Sequence, residues 1–193
     1  MTLPQAFQQV RRALDSAGVI YAIGGSWAST IHGEPRHTND IDFVINLDSG
    51  HDAGLKTGRL QRFFDALGSG FYFDLESAQA SLKARRPFNI IHRDLGYKFD
   101  FFQVIDGHGM AELARRMAVA LPALDTEPVP VISAEDTILA KLRWYRAGGE
   151  VSERQWRDIA GIFAAAGERL DRGYLERWAE TLGLTDLYQR AAR

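Results

Sequence analysis

The feature that most constrains this chain is an apolar segment that two glycines interrupt. Residues 19–23 are apolar with β-branched and aromatic side chains, which predicts a buried strand. Gly24 and Gly25 end that strand, and Ser26 after them is expected to cap a short helix over residues 27–32. The chain is therefore predicted to run from a buried strand through a tight turn directly into a helix.

Asp40 and Asp42 lie at the start of the next predicted strand, residues 41–47. Successive side chains of a strand alternate between its two faces, so both carboxylates project to the same side of the sheet. An isolated pair of acids is most often a solvated strand end, but the flanking residues here are strongly apolar. Because acids embedded in an apolar strand are costly without partners, the pattern favours a functional role.

A third aspartate, Asp100, lies in a further strand candidate, residues 97–105, with Lys98 on the same face. If that strand pairs with the strand of Asp40 and Asp42, the three carboxylates form one cluster. Hard divalent cations such as Mg²⁺ take oxygen ligands of this kind, completed by substrate phosphates and water. Two such ions about 3.5–4 Å apart can clamp the attacking and leaving oxygens of an in-line displacement. Together with a phosphate-sized glycine turn, the acids indicate phosphoryl or nucleotidyl transfer.

The rest of the chain predicts an α+β fold: a mixed sheet with flanking helices, followed by a C-terminal helical region. Further strands are expected at residues 71–73 and 88–91. Helices are expected at residues 4–17, 110–120, 134–147, 153–166, 171–182 and 185–192, and a further helix that contains Phe63, Phe64 and Leu67 is expected to end near Gly68. Residues 49–58 are expected to form a loop or a weak helix. We place a catalytic domain over residues 1–125 and a helical domain over residues 126–193.

Composition narrows the classes of protein that the chain can represent. It contains no cysteine, which removes disulfides, thiolate zinc sites and cysteine nucleophiles. The N-terminus lacks a secretion signal and no apolar run approaches membrane-spanning length, so we expect a cytoplasmic protein without a membrane partner. A net charge of −2 does not support a large nucleic-acid footprint. The histidines lack metal-ligand spacing, which gives a zinc site little support.

One set of residues from the turn, the loop after it and the two acid-bearing strands forms a recognisable pattern. It consists of Gly24-Gly25-Ser26-Trp27-Ala28, Gly33, Arg36, Thr38, Asp40-Ile41-Asp42-Phe43 and Asp100. This pattern resembles the nucleotidyltransferase superfamily of the polymerase-β type. Within it the chain is similar to small bacterial nucleotidyltransferase-like proteins, including the toxin components of some abortive-infection systems. The resemblance spans about residues 19–105, and the helix that carries Lys141 extends it more loosely.

The resemblance implies transfer of a nucleoside monophosphate from an NTP to an acceptor, with loss of pyrophosphate. Gly24, Gly25 and Ser26 would hold the β- and γ-phosphates. Asp40 and Asp42 would ligate Mg²⁺, the implied cofactor, and Asp100 would share one ion and orient or deprotonate the acceptor.

The resemblance also suggests nucleotide-binding roles for residues outside the glycine turn. Lys141 would reach the triphosphate, although a surface lysine with its stem packed along the protein is an equally good interpretation. Arg36 would contact a phosphate or tie its loop to a carboxylate, and Thr38 would contact the nucleotide or bond within that loop. Asp158 is interpreted as a structural ion-pair partner rather than as a fourth catalytic acid.

Several functions remain open at this point. The acceptor would be a tRNA or other RNA end, a protein hydroxyl, or a small molecule such as an aminoglycoside. An RNA acceptor would fit a toxin with a cognate antitoxin protein as its partner. A non-catalytic nucleotide-binding or protein-interaction module of the same fold is the alternative, and a hydrolase or phosphodiesterase that uses the same metals is a third interpretation.

Overall fold

The structure is a computed structural model that describes residues 1–47 and 53–192, without the side chains of residues 53–56. The helices in this part of the chain are α1 (Leu3–Ser16), α2 (Gly25–His32), α3 (Ala53–Leu67), α4 (Leu75–Lys83), α5 (Gly107–Ala114), α6 (Ala134–Ala147), α7 (Glu153–Ala166), α8 (Arg172–Thr181) and α9 (Thr185–Ala191). The strands are β1 (Ile20–Ile23), β2 (Asp40–Asn46), β3 (Phe71–Tyr72), β4 (Phe88–His92), β5 (Lys98–Gln103), β6 (Met117–Val119) and β7 (Val129–Val131).

The strands form one mixed sheet in the order β3-β4-β5-β2-β1-β7-β6. β2 pairs in parallel with β5 and antiparallel with β1, so the strand that begins with Asp40 lies in the middle of the sheet. β1 and β7 are parallel, and the outer pairs are antiparallel. This arrangement confirms the predicted α+β class.

The chain divides into two compact units, and each contains two stretches of sequence. The first unit comprises Met1–Ile23 and Asn39–Val131 and contains the whole sheet. The second unit comprises Gly24–Thr38 and Ile132–Arg193 and is helical. The segment with α2 and the following loop therefore groups with the C-terminal helices, whereas a division at residue 125 assigns it to the catalytic domain. The domain boundary at residue 125 stays a prediction.

Aromatic packing beneath β2 and β5 forms the core of the first unit. Phe43 and Phe101 are fully buried and stack with ring centroids 5.3 Å apart. Phe88 stacks on Phe101 from β4, and Phe7 of α1 stacks on Phe43. This apolar face fixes the register of β2, because a slip of one residue would turn these rings to the opposite face.

The second unit is held by a separate apolar cluster along α6, α7, α8 and α9. Its fully buried members include Ile138, Leu142, Ile159, Ile162 and Leu175. α2 packs against α6 and α7 within the same unit.

Two local predictions were wrong, and some elements were missed. Residues 110–120 are not one helix: α5 ends at Ala114, and residues 117–119 form β6 because β7 pairs with them antiparallel. α4 and β7 were missed, although Asp74 supplies a side-chain cap to the amide of Ser77 at the start of α4. Ser26 does not cap α2, because the helix begins at Gly25 with Gly24 in the cap position.

Five predicted helices, 4–17, 134–147, 153–166, 171–182 and 185–192, are confirmed to within about one residue at each end. Ser133 starts α6 by accepting a hydrogen bond from the amide of Asp136 at 3.1 Å. Of the segment 49–58, residues 53–58 belong to α3, and residues 49–52 lie outside the described residues.

Candidate active site

The three carboxylates of the first unit lie on paired central strands. In the parallel pairing of β2 and β5, Asp42 lies opposite Asp100, and Asp40 lies opposite Lys98. All four side chains share one face of the sheet, because their neighbours Ile41 and Phe99 are buried on the other. The strand pairing on which the predicted cluster depended is therefore present.

Lys98 is a member of this cluster to which the sequence analysis assigned no role. Its Nζ lies 2.9 Å from Oδ2 of Asp100. The hydrogen bond to Asp100 raises the pKa of Lys98, and the negative charges of Asp100, Asp40 and Asp42 raise it further against the opposing effect of burial. The ammonium group of Lys98 therefore interacts electrostatically with all three carboxylates. The signal in the sequence is that Lys98 and Asp100 are two residues apart on one strand.

The carboxylate oxygens of Asp40, Asp42 and Asp100 are of the chemical type that a hard cation binds. Carboxylate oxygens are what Mg²⁺ prefers, and one or two carboxylates with substrate phosphates commonly suffice. Within residues 1–47 and 53–192, however, no group of three or more His, Cys, Asp or Glu side chains is arranged to hold a metal ion. Asp40 and Asp42 supply two carboxylates on one face of β2, and Asp100 is in ion-pair contact with Lys98.

The glycine turn belongs to the second unit. Gly25 has φ of +54°, a left-handed conformation that glycine adopts without steric cost. Gly24 occupies the cap position of α2 without a side-chain hydrogen bond to the helix. The amides at the start of a helix favour anions. The phosphate-binding roles of Gly24, Gly25 and Ser26 stay predictions.

A buried ionic network connects α2, the following loop, α6 and α7 in the second unit. Asp158 accepts from Lys141 Nζ at 2.6 Å and from Arg36 Nε at 3.2 Å and Nη2 at 3.3 Å. Arg36 Nη2 also donates to Ser26 Oγ, and Ser29 Oγ donates to Asp158 at 3.4 Å. Ser29 was missed by the sequence analysis; its signal is its spacing of three residues from Ser26 on α2.

Asp158 is the anionic centre of this network. Burial by itself raises the pKa of Asp158, but hydrogen bonds and positive charge from Lys141 and Arg36 outweigh burial and hold the pKa below its ordinary value. The ion-pair interpretation of Asp158 is therefore confirmed. Lys141 is not a surface lysine, because only 5% of it is exposed.

Arg36 ties its loop to α7 through Asp158. From the sequence, Arg36 was expected either to contact a phosphate or to tie its loop to a carboxylate, and the structure contains the second of these contacts. Thr30 Oγ1 accepts from the backbone amide of Arg36 at 3.4 Å, which joins the loop to α2 as well. Thr38 is half-buried at the end of the loop. The nucleotide-binding roles of Arg36, Thr38 and Lys141 stay predictions.

The described elements form an α+β fold, a mixed sheet with flanking helices, that has a counterpart among solved structures. The chain is similar in structure to the antibiotic-resistance factor ANT(2'')-Ia, known from a solution structure described as revealing substrate-regulated conformation dynamics. The TM-score is 0.57 at 14% sequence identity, over 97% of this chain and 96% of the other. No protein-family model matches the chain, and no curated protein matches it by sequence.

In the described part of the chain, none of the helices has the length and apolar character needed to cross a lipid bilayer.

Proposed function

We propose that this protein is a Mg²⁺-dependent nucleotidyltransferase that transfers a nucleoside monophosphate from an NTP to an acceptor hydroxyl. The observation that carries the proposal is the register of β2 and β5, which sets Asp42 opposite Asp100 with Asp40 on the same face. A module without catalysis gains nothing from three like charges at one place. The fold shared with ANT(2'')-Ia supports the same assignment.

The reaction is an in-line displacement at the α-phosphorus. The acceptor oxygen forms a bond to that phosphorus while the bridging bond to the β-phosphate breaks, and pyrophosphate leaves with the electron pair. Asp100 accepts the hydroxyl proton or orients the hydroxyl. Asp40 and Asp42 would hold Mg²⁺, which when bound neutralises charge that develops on the phosphates.

The second unit would bind the triphosphate. Gly24, Gly25 and Ser26 offer backbone amides at the start of α2. Arg36 and Lys141 bring two positive charges against the one negative charge of Asp158. This excess of positive charge suits the β- and γ-phosphates. Arg36 already holds the Ser26 hydroxyl, so we assign it the placement of Ser26 as well as phosphate binding.

A small molecule is the acceptor to test first. The structural neighbour is an antibiotic-resistance factor, which favours a hydroxylated antibiotic such as an aminoglycoside. The net charge of −2 supplies no general attraction to RNA. An RNA acceptor, with a toxin function and a cognate antitoxin, remains the second choice among acceptors, and a protein hydroxyl the third.

The experiment is to incubate the pure protein with Mg²⁺ and each α-labelled NTP. Aminoglycosides, total RNA and total protein are supplied as acceptors in separate reactions, and pyrophosphate release is measured in parallel. The test variant is Asp42→Asn. The matched control is Asp65→Asn, because Asp65 is an exposed acid on α3.

We expect the wild type to transfer label to one acceptor class and to release one pyrophosphate for each label transferred. Asp42→Asn should lose both activities, whereas Asp65→Asn should keep them. The position of the label then identifies the acceptor. Growth arrest on expression that Asp42→Asn relieves would accompany a toxin function. Release of free NMP or NDP without labelled acceptor would assign a hydrolase instead. Metal-dependent NTP binding with no turnover on any fraction would contradict the proposal in favour of a non-catalytic module.

A further inference from the structure

Lys98 places a permanent positive charge inside the carboxylate cluster. β5 sets it directly opposite Asp40 and two residues before Asp100, on the face that carries all three acids. Its ammonium lies 2.9 Å from Oδ2 of Asp100, a charge-assisted hydrogen-bond distance. Asp100 is largely buried, with 14% of its side chain exposed, so this carboxylate has limited access to solvent as an alternative partner.

The side chain of Lys98 is 37% exposed, which is enough for a lysine to extend its ammonium group into water. Instead the ammonium turns to Asp100, and the charges of Asp40 and Asp42 add to its electrostatic environment. A typical exposed pair contributes little to stability. Since Lys98 joins a cluster of three like charges, its effect is on the charge balance of that cluster.

The balance of charge limits what the cluster can bind. Asp40, Asp42 and Asp100 together carry three negative charges at neutral pH, and Lys98 and one divalent ion together carry three positive charges. A second divalent ion would leave the protein ligands with an excess of two positive charges. It would also compete with Lys98 for Asp100. The described residues offer no three-ligand group for a metal, which agrees with an Asp100 already committed to Lys98.

We propose that Lys98 is a positioning residue that holds Asp100 with its ammonium, so that the protein without nucleotide binds one divalent ion, through Asp40 and Asp42. The inference rests on the proposed function, because it concerns the metal and acceptor residues of that same site. Held by Lys98, Asp100 stays available to the acceptor hydroxyl rather than shared with a metal.

The test is a titration of the full chain with Mn²⁺ alone, with free Mn²⁺ followed by electron paramagnetic resonance. We expect one bound ion in the wild type. Lys98→Met releases Asp100 and should bind Mn²⁺ about tenfold more tightly or take up a second ion. Lys98→Arg keeps the positive charge and should behave as the wild type. Lys83→Met, at the end of α4, is the control for loss of a surface lysine.

The double variant Lys98→Met/Asp100→Asn removes one charge of each sign, so the net charge of the cluster stays that of the wild type. It should bind one Mn²⁺ ion with an affinity within about twofold of the wild type, because Asp100 is not a ligand of the ion in the free protein. A fall of about tenfold or more in the double variant would overturn the proposal. Two bound ions in the wild type, or identical binding by wild type and folded Lys98→Met, would overturn it too.

The outcome separates this inference from the proposed function. If the wild type binds Mn²⁺ and Asp42→Asn does not, the metal site is supported, and the Lys98 and Asp100 variants decide the inference alone. If neither wild type nor any variant binds Mn²⁺ with or without NTP, the metal-dependent function fails and the inference fails with it.

Discussion

At the scale of single residues, the two units balance their clustered charges in two different ways. In the first unit one lysine compensates part of an excess of carboxylates. In the second unit one carboxylate, Asp158, is shared by Lys141 and Arg36. Asp158 is 7% exposed, and the Lys141 side chain 6%, so neither charge can rely on water if its partner is removed.

Replacement of Asp158 should therefore destabilise the second unit strongly. Asp158→Asn leaves Lys141 and Arg36 without their anionic partner, and we expect a loss of about 3 kcal/mol in the free energy of unfolding. The control is Asp186→Asn, since Asp186 pairs with Arg146 at the surface and is 70% exposed, so its loss should matter little. Urea denaturation followed by tryptophan fluorescence measures both. Equal midpoints for the two variants would contradict the assignment of Asp158 as the buried anionic centre.

The same carboxylate predicts a dependence of stability on pH. Its pKa is lower in the folded protein than in an unfolded chain. The stabilisation by ionised Asp158 is thus fully present above the unfolded pKa, about 3.9, and is lost as pH falls through the folded pKa. The difference in unfolding free energy between wild type and Asp158→Asn should shrink on going from pH 6 to pH 3. A difference that stays constant or grows over this range would argue against the ion pairs as its source.

At the scale of elements, α2 depends on close backbone contact with α7. The end of α2 has Gly33 in its C-cap position, and a Cβ there would lie 2.9 Å from the backbone nitrogen of Ile162. Gly161 of α7 is similarly close to Glu34, with 3.3 Å from an added Cβ to Glu34 Cγ. His32 Nε2 hydrogen-bonds the carbonyl of Ile132 at 2.7 Å. The two glycines allow α2 and α7 to approach closely, so that Ser29 can hydrogen-bond Asp158 and Ser26 can hydrogen-bond Arg36.

Gly33→Ala should disturb this contact because backbone atoms of α7 cannot move aside as a flexible side chain can. We expect a loss of about 1–3 kcal/mol, the usual cost of overpacking. Gly173→Ala on α8 is the matched control in the same unit, since its nearest neighbours are side-chain atoms at 3.5 and 3.6 Å. That change should be neutral or stabilising by up to about 1 kcal/mol, because alanine favours helix. Thermal unfolding measures both variants, and a neutral Gly33→Ala would refute the close contact.

At the scale of the whole molecule, the two units carry different parts of the proposed chemistry. The carboxylates and Lys98 belong to the first unit, and the glycine turn, Arg36 and Lys141 to the second. All four tryptophans, Trp27, Trp144, Trp156 and Trp178, lie in the second unit. Tryptophan fluorescence therefore reports selectively on the unit to which we assign triphosphate binding.

This division predicts that nucleotide binding and turnover can be separated. In EDTA, NTP should change the tryptophan fluorescence of wild type and Asp42→Asn alike, with affinities within about twofold. Lys141→Met should bind NTP about tenfold more weakly if Lys141 makes the proposed charge-assisted contact to phosphate. Circular dichroism checks that each variant is folded. If Asp42→Asn lost metal-free NTP binding while Lys141→Met kept it, the assignment of tasks to the units would be wrong.

Metal removal should stop catalysis without unfolding the protein. The apolar cores of both units consist of packed side chains that need no metal. With EDTA we expect transfer of label to cease while the thermal midpoint changes little, and added Mg²⁺ should restore transfer. Unfolding of the protein on EDTA treatment would show that a metal has a structural role instead.

The elements themselves were largely predictable because their signals are local. α1, α6 and α7 have periodic apolar residues and caps within the segment, and β2 has alternation that places Asp40 and Asp42 on one face. The errors occurred where a distant segment decided the outcome. Residues 117–119 form a strand because β7 pairs with them, which the local pattern does not contain.

The sequence by itself determined which face of each strand carries its acids and where the glycine turn interrupts the chain, because both depend on alternation and backbone freedom over a few residues. Only the tertiary structure decided that Asp42 lies opposite Asp100, that Lys98 holds Asp100, and that Asp158 is shared by Arg36 and Lys141. These contacts join residues far apart in the chain, apart from Lys98 and Asp100. They are set by strand order and helix packing, which follow from burial of apolar side chains throughout each unit.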